Sequence, residues 1–352
     1  MATLPILNHP NPEVRRLATL ASDLMSRRLA VNSCKNYGSQ FDMFVKWCSN
    51  LGLPCSLPTP VCVAAAYITH RIESAKTFST VKASVAGLGW AHSELQLADP
   101  TRDPSIRALY SVAERLLPAK INRKDAISPE MIVSILRELA GGKLYLEDQV
   151  GASAAALAYF TFARHSDLAV LRCEDVTVGP SYVEIFFERA KNDQRRHGKL
   201  CHVPRAQGLL DLGSVLSKLR SALGDRSPEA PLFPHIVRGR KTSLPIKCQQ
   251  FSDSIRQLLA RKGFNVQDIS SHSLRSGGMS MAIAMGVDFS KAMAHGRWRS
   301  ADAASRYVCE TVDARLHVGQ AMLHGLSDPS KIPEVLRPTA AAVAAHKRRR
   351  AA

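Results

Sequence analysis

Across 352 residues there is no Cys-x-x-Cys pair, and the eight cysteines (34, 48, 55, 62, 173, 201, 248 and 309) form no group with histidine at zinc-ligand spacing. That pattern gives no sign of a structural zinc, and reduced, mostly buried thiols are expected. No basic flank leads into an apolar signal core at the N-terminus, and the apolar run 152–163 is too short to span a bilayer. An intracellular protein is therefore expected, in the cytoplasm or nucleoid of a prokaryote or the nucleus of a eukaryotic host, with no membrane partner. The sequence has neither a Walker loop nor an acidic metal cluster. Repeats of solenoid length are absent too. Acidic residues are scarce beside basic ones, 30 against 47, giving a net charge of +17 and a pI near 9.8. Such an excess favours a polyanionic partner, with nucleic acid first.

The positive charge is not confined to a tail. Residues 1–125 hold 15 basic and 9 acidic side chains, and the remainder holds 32 and 21. Two basic parts suit a clamp that touches phosphates from both sides. The length points to two domains, each with its own core. Asn11-Pro12-Glu13 is a helix start, and Tyr37, Phe41, Phe44, Val45, Cys48 and Leu51 recur at three- and four-residue steps before Gly52. Further helices are expected after Pro60, over 79–95 and over 103–117. Residues 1–117 thus read as a helical bundle, 118–127 as a polar linker, 128–326 as a second domain and 327–352 as a basic tail ending in Lys347-Arg-Arg-Arg350.

In the second domain, Ser128-Pro129-Glu130 caps a helix, and a buried helix follows through Tyr159 and Phe160 to Arg164. Strand formers then take over at Val176, Val178 and 182–187, a basic turn follows, and 200–203 can return as a third strand. From 210 to 326 the pattern reads as helical again. The fold class is mainly α with a small antiparallel β-sheet, an N-terminal bundle followed by an α+β domain.

The chemistry concentrates late in the chain, in His272-Ser-Leu-Arg275, Gly296-Arg-Trp298 and Tyr307. An imidazole, a guanidinium fork, an indole donor and a phenol suit the handling of one phosphodiester, the phosphate gripped and the tyrosine oxygen attacking. His272 and Arg275 lie one turn apart near the positive start of a helix, where an anion is welcome. Taken singly, each has a plain reading: a capping histidine, a surface arginine, a core tryptophan, a half-buried tyrosine. Plain core has no reason to gather them all.

Together these residues resemble the tyrosine recombinase, or phage integrase, family. Its motifs are an arginine after a buried helix, a lysine in a β-hairpin, His-x-x-Arg, a His or Trp, and a tyrosine. Arg164, Lys191, His272, Arg275, Trp298 and Tyr307 match in order and spacing, with Trp298 in the Cre-type layout. Asp167 stands where the family carries an acidic support residue. One departure is His295, which precedes Gly296 where many members have a histidine just after the glycine; it is read as a supporting group. The bundle looks like the family's SAM-like core-binding domain.

The resemblance implies a site-specific DNA recombinase working through a covalent 3′-phosphotyrosine intermediate, without cofactors. Its implied partners are double-stranded DNA and further copies of the chain, a homo-tetramer on two sites with a dimer per site. A C-terminal segment, 312–323 or 339–345, would be exchanged with a neighbour. Arg164 and Arg275 would hold the non-bridging oxygens, His272 would help the phenol lose its proton, and Lys191 would protonate the departing 5′ oxygen. A type IB topoisomerase-like relaxase, or a captured recombinase that only binds DNA, are the alternatives. Candidate DNA-contacting residues are Lys247, Gln249 and Gln250 at a helix start, Lys35, Thr80 and Lys82 in the bundle, Arg123 and Lys124 in the linker, and Arg195 and Arg196 in the hairpin turn.

Overall fold

The computed structural model describes residues 8–26, 28–118, 124–188 and 198–308, with 316, 320, 322 and 323. The chain divides into two compact units, Met1–Asn122 and Arg123–Ala352.

The described part of the first unit is all helical: α1 (Pro12–Ser26), α2 (Val31–Asn50), α3 (Val61–Ser74), α4 (Phe78–Glu94) and α5 (Pro104–Leu116). Helix α5 starts where Asp103 accepts the Ser105 N–H at 2.9 Å and Pro104 occupies the first turn. The three- and four-residue apolar spacing of α2 buries Phe44 and Cys48 completely, against Tyr67 and Ile68 of α3, Val81 and Leu88 of α4 and Ile106 of α5. Each large side chain so buried contributes about 1.5–3 kcal/mol. Helices α2 and α4 touch so closely that a Cβ on Gly87 would lie 2.5 Å from the Gln40 Cβ. His92, fully buried, is satisfied within this core, its ring joining the Thr59 N–H at 2.9 Å and the Leu88 carbonyl at 2.8 Å. It is a structural histidine.

The second unit begins at α6 (Pro129–Gly141), capped by Ser128, and α7 (Leu146–Thr161). The apolar run that is too short for a membrane is the interior of α7, whose residues Ala154–Ala158 have no exposure. After the short α8 (His165–Leu168) comes a three-stranded antiparallel sheet of β1 (Val176–Val178), β2 (Tyr182–Phe187) and β3 (Lys199–Pro204), with β2 central. Val183, Ile185 and Phe187 point inward while Tyr182 and Phe186 face out, the period-two pattern of a half-buried strand. Register pairs Ile185 with Cys201 and Phe187 with Lys199.

Helix α9 (Leu212–Leu223) follows, and here the structure corrects the expectation of an all-helical 210–326. Strands β4 (Pro234–Val237) and β5 (Arg240–Pro245) form a hairpin. The turn residues Arg238 and Gly239 sit at φ 51° and 73°, the left-handed pair that a two-residue hairpin turn needs. Strand β5 carries little apolar pattern because most of it faces out; Thr242 Oγ1 ties it to β4 through the His235 carbonyl at 2.9 Å, and Lys241 Nζ donates to the Leu223 carbonyl at the end of α9. Helices α10 (Cys248–Ala260), α11 (Ser271–Ala284), α12 (Phe289–His295) and α13 (Ala301–Ser305) complete the described part.

Helix α11 lies hard against α7. Cβ atoms on Gly277 and Gly278 would stand 2.2 Å and 2.3 Å from the carbonyl oxygens of Ile127 and Tyr159. Only glycine permits that approach, and it brings the first turns of α11, with His272 and Arg275, to the C-terminal end of α7. Among the described residues, no helix is long and apolar enough to cross a membrane.

Candidate functional site

Helix α7 ends at Phe162, which adopts a left-handed backbone at φ 51°. The reversal turns the Phe162 carbonyl toward α11, where the Arg275 Nη1 donates to it, and Nη2 donates to the Gly296 carbonyl at 2.7 Å. Arg275 is fully buried. Its guanidinium carbon lies 3.7 Å from the centroid of the Trp298 ring, a cation–π contact, and 5.3 Å from that of Tyr307. Burial, reinforced by the charges of Arg164 and Arg297, pushes the Arg275 guanidinium down to about 9.

Arg164 stands two residues beyond Phe162, at the start of α8. The Asp167 carboxylate accepts the Arg164 backbone N–H at 3.0 Å and lies 4.0 Å from its Nη1. The phenol of Tyr307 reaches His272 Nδ1 at 3.3 Å. The backbone of Tyr307 is fastened to α11, its carbonyl accepting from Ser276 Oγ at 2.9 Å and Ser280 Oγ at 3.3 Å. Trp298 packs on Tyr307 with ring centroids 5.3 Å apart. Five of the six residues expected to act together therefore share one place: Arg164, His272, Arg275, Trp298 and Tyr307. The sixth, Lys191, lies outside the described residues, as do Arg123, Arg195 and Arg196.

Among the described buried donors, Arg164 Nη1, Arg275 Nε, Arg297 Nε and Trp298 Nε1 have no hydrogen-bond partner. Buried polar groups are ordinarily satisfied, and a buried positive charge without a counter-charge is costly. Among the described residues, three guanidiniums, Arg164, Arg275 and Arg297, gather about one buried carboxylate, Asp167. The site is short of negative charge and rich in unused donors, the condition that a bound oxyanion would relieve.

Arg297 was not singled out in the sequence. It is 7% exposed, sits at φ 60°, and donates to Asp167 Oδ2 at 3.3 Å and to the Thr161 carbonyl at 3.2 Å. An arginine beside Trp298 was visible, but its inward turn depends on a left-handed backbone that an arginine does not advertise. His295 plays a supporting part. Its Nε2 bonds the Phe160 carbonyl at 2.8 Å, its ring packs on Phe162 at 4.8 Å, and burial lowers its pKa.

The expected DNA-reading residues divide. Lys35, Lys82 and Lys247 are exposed, and Thr80 is half-buried. Gln249 bonds Asp253 at 2.9 Å, and Lys124 pairs with Asp268 at 2.8 Å. Gln250 is occupied in tying α10 to β4, accepting from His235 Nδ1 at 2.6 Å and donating to the Ile236 carbonyl at 3.2 Å.

The family model described as "Phage integrase family" matches residues 127–313. Several solved structures share the fold. A lambda integrase dimer bound to a COC′ core site is 20% identical with a TM-score of 0.54, over 84% of this chain and 95% of that one. XerH site-specific recombinase bound to a palindromic difH substrate, a post-cleavage complex, is 13% identical at TM-score 0.57, over 82% and 78%. A lambda integrase tetramer bound to a Holliday junction is 17% identical at 0.53, over 85% and 81%. No curated protein sequence gives a significant match.

Proposed function

The chain belongs to the phage integrase family and is a site-specific tyrosine recombinase, and on that premise we propose how its residues cut and rejoin DNA. The observation that carries the reading is the phenol of Tyr307, 3.3 Å from His272 Nδ1 and beside the buried Arg275 cation. A scissile phosphodiester enters among the unsatisfied donors of Arg164, Arg275 and Trp298. Tyr307 Oη attacks phosphorus, its proton passes to His272 in the tautomer that leaves Nδ1 free to accept, and the P–O5′ bond breaks. The two guanidiniums meet the charge that grows on the non-bridging oxygens of the pentavalent transition state.

Lys191, between β2 and β3 in sequence, supplies the proton that the departing 5′ oxygen takes up. The products are a 3′-phosphotyrosine and a free 5′ hydroxyl. Reversal with a 5′ hydroxyl from another strand re-forms the phosphodiester and returns the proton from His272 to the phenol. No bond energy is lost on the way, so the exchange needs no nucleotide.

The natural substrate is a duplex recombination site, with two chains per site and four on a pair of sites. Two solved structures of the same fold support this by their own states, a dimer on a core site and a tetramer on a Holliday junction. Such an enzyme works where the DNA is, in the nucleoid or the nucleus. The test is a nicked suicide duplex that loses its short 5′ product after cleavage. Wild-type protein becomes covalently attached and Tyr307→Phe does not; attachment that survives that substitution would falsify the assignment of the nucleophile. Joint products from two duplexes separate strand exchange from relaxation.

A further inference from the structure

We propose that Arg297 is a positioning residue that keeps Arg164 free for the phosphate by taking up the charge of Asp167. The inference rests on the strand-cleavage reading above.

Among the described residues, Asp167 is the one carboxylate set among these three guanidiniums, and it is 1% exposed. Left to itself a buried carboxylate would draw the nearest arginine into a close, two-pronged pair. The nearest by sequence is Arg164, three residues away and anchored to the same short helix. Its Nη1 nevertheless stands at 4.0 Å, too far for a hydrogen bond, and has no other partner. Arg297 Nη2 lies closer, at 3.3 Å from the same Oδ2. The carboxylate is thus engaged by an arginine that cannot reach DNA, and the one expected to grip the phosphate is spared.

Arg297 is held to this task from three sides. Its Nη1 donates to the Thr161 carbonyl at 3.2 Å, its guanidinium carbon lies 3.9 Å from the centroid of the Phe187 ring, and its backbone is left-handed. A non-glycine residue in that region is uncommon, and its persistence at a buried site points to a job for the side chain. Phe187 is the last residue of β2, so the same guanidinium braces the strand end that precedes Lys191 in sequence. The neighbouring contacts repeat the brace, with Lys199 Nζ donating to the Ala294 carbonyl at 2.7 Å.

Without Arg297, Asp167 closes on Arg164 and withdraws it from the phosphate. Cleavage slows, while DNA binding, to which a 7% exposed side chain contributes little, stays near its wild-type level. Removing the carboxylate as well releases Arg164 again. Asparagine suits this purpose because its side-chain oxygen still accepts the Arg164 N–H.

The probe is a pool of nicked duplexes of randomised sequence, from which wild-type protein selects those it attaches to covalently. On a selected duplex, single-turnover attachment by Arg297→Ala is expected to be about 10- to 100-fold slower than wild type, the usual range for a group acting through a ligand-holding residue. Its duplex affinity by gel shift should change less than about threefold. Arg297→Ala with Asp167→Asn should recover much of the lost rate. Arg297→Gly, which suits a φ of 60°, guards against a folding failure and should be slowed like the alanine variant. Equal rates for Arg297→Gly and wild type, or a double variant no faster than Arg297→Ala, would overturn the proposal. Failure of wild-type protein to attach to any member of the pool would instead defeat the cleavage reading beneath it.

Discussion

Gly296→Ala tests whether the tryptophan turn is built to the tolerance the site requires. Gly296 has an ordinary φ of −78°, so alanine meets no backbone objection. Its Cβ would, however, stand 1.8 Å from Trp298 Cζ3, 2.3 Å from Cε3 and 2.8 Å from Cη2. Ordinary contact begins near 3.4 Å, so the indole must withdraw by roughly 1.6 Å, the difference from the shortest of these distances, in an interior that is already close-packed. The ring cannot move alone. It lies over the Arg275 guanidinium at 3.7 Å and beside Tyr307 at 5.3 Å, while Arg275 also holds the Gly296 carbonyl.

Overpacking of this kind costs about 1–3 kcal/mol. In a unit of this size that is a fall in Tm of roughly 2–12 °C. A displacement of about 1 Å in the catalytic groups slows cleavage on the order of 100-fold. Thermal melting and single-turnover attachment to a nicked duplex measure both. Adding Trp298→Phe, whose smaller ring lacks the obstructing atoms, should restore most of the Tm without restoring the indole donor or the full rate. A Gly296→Ala protein that melts and cleaves like wild type would refute the argument that this glycine is there for the indole.

Three further outcomes follow from the charges. Arg275, pushed by burial to about 9, is held more tightly as a cation by the unfolded chain, so it costs stability at neutral pH and that cost fades as pH rises above about 9. Cleavage as proposed has the opposite sign, because the proposed step uses the cation: the rate at limiting DNA should decline as pH passes about 9, and a rate still climbing there would contradict the proposal. Asp211, 3% exposed, caps α9 and accepts two bonds from Arg205 at 2.6 and 2.8 Å, which hold its carboxyl well below the usual range. Its stabilisation is complete above the ordinary carboxyl value near 4 and fades as pH falls below that. Asp211→Ala should therefore lose about 2–3 kcal/mol in urea unfolding at pH 7, less than for a fully buried pair because Arg205 keeps access to water, and the gap from wild type should narrow near pH 3.

The order of the motifs, the buried α7, the antiparallel β1–β3 sheet and the all-helical start were legible in the sequence, because each rests on local periodicity or on residue types at fixed spacing. Phe44 and Cys48 announce the inner face of α2 by their own step, and Ser128-Pro129 announces the start of α6. The β4–β5 hairpin was not legible, since β5 is polar, basic and mostly exposed, and it is bonded to residues from other elements.

Which chemistry this chain could perform was fixed by residue identity: one phenol, one imidazole and paired guanidiniums have few joint uses besides a phosphodiester. Whether they could perform it depended on distances that no local rule sets. Two glycines let α11 press on α7, and a left-handed Phe162 turns its carbonyl to Arg275. A left-handed Arg297 enters beside Asp167. Contacts between residues more than a hundred positions apart are properties of the packed interior, where backbone reversal and close approach decide which charges meet, and those were decided only in three dimensions.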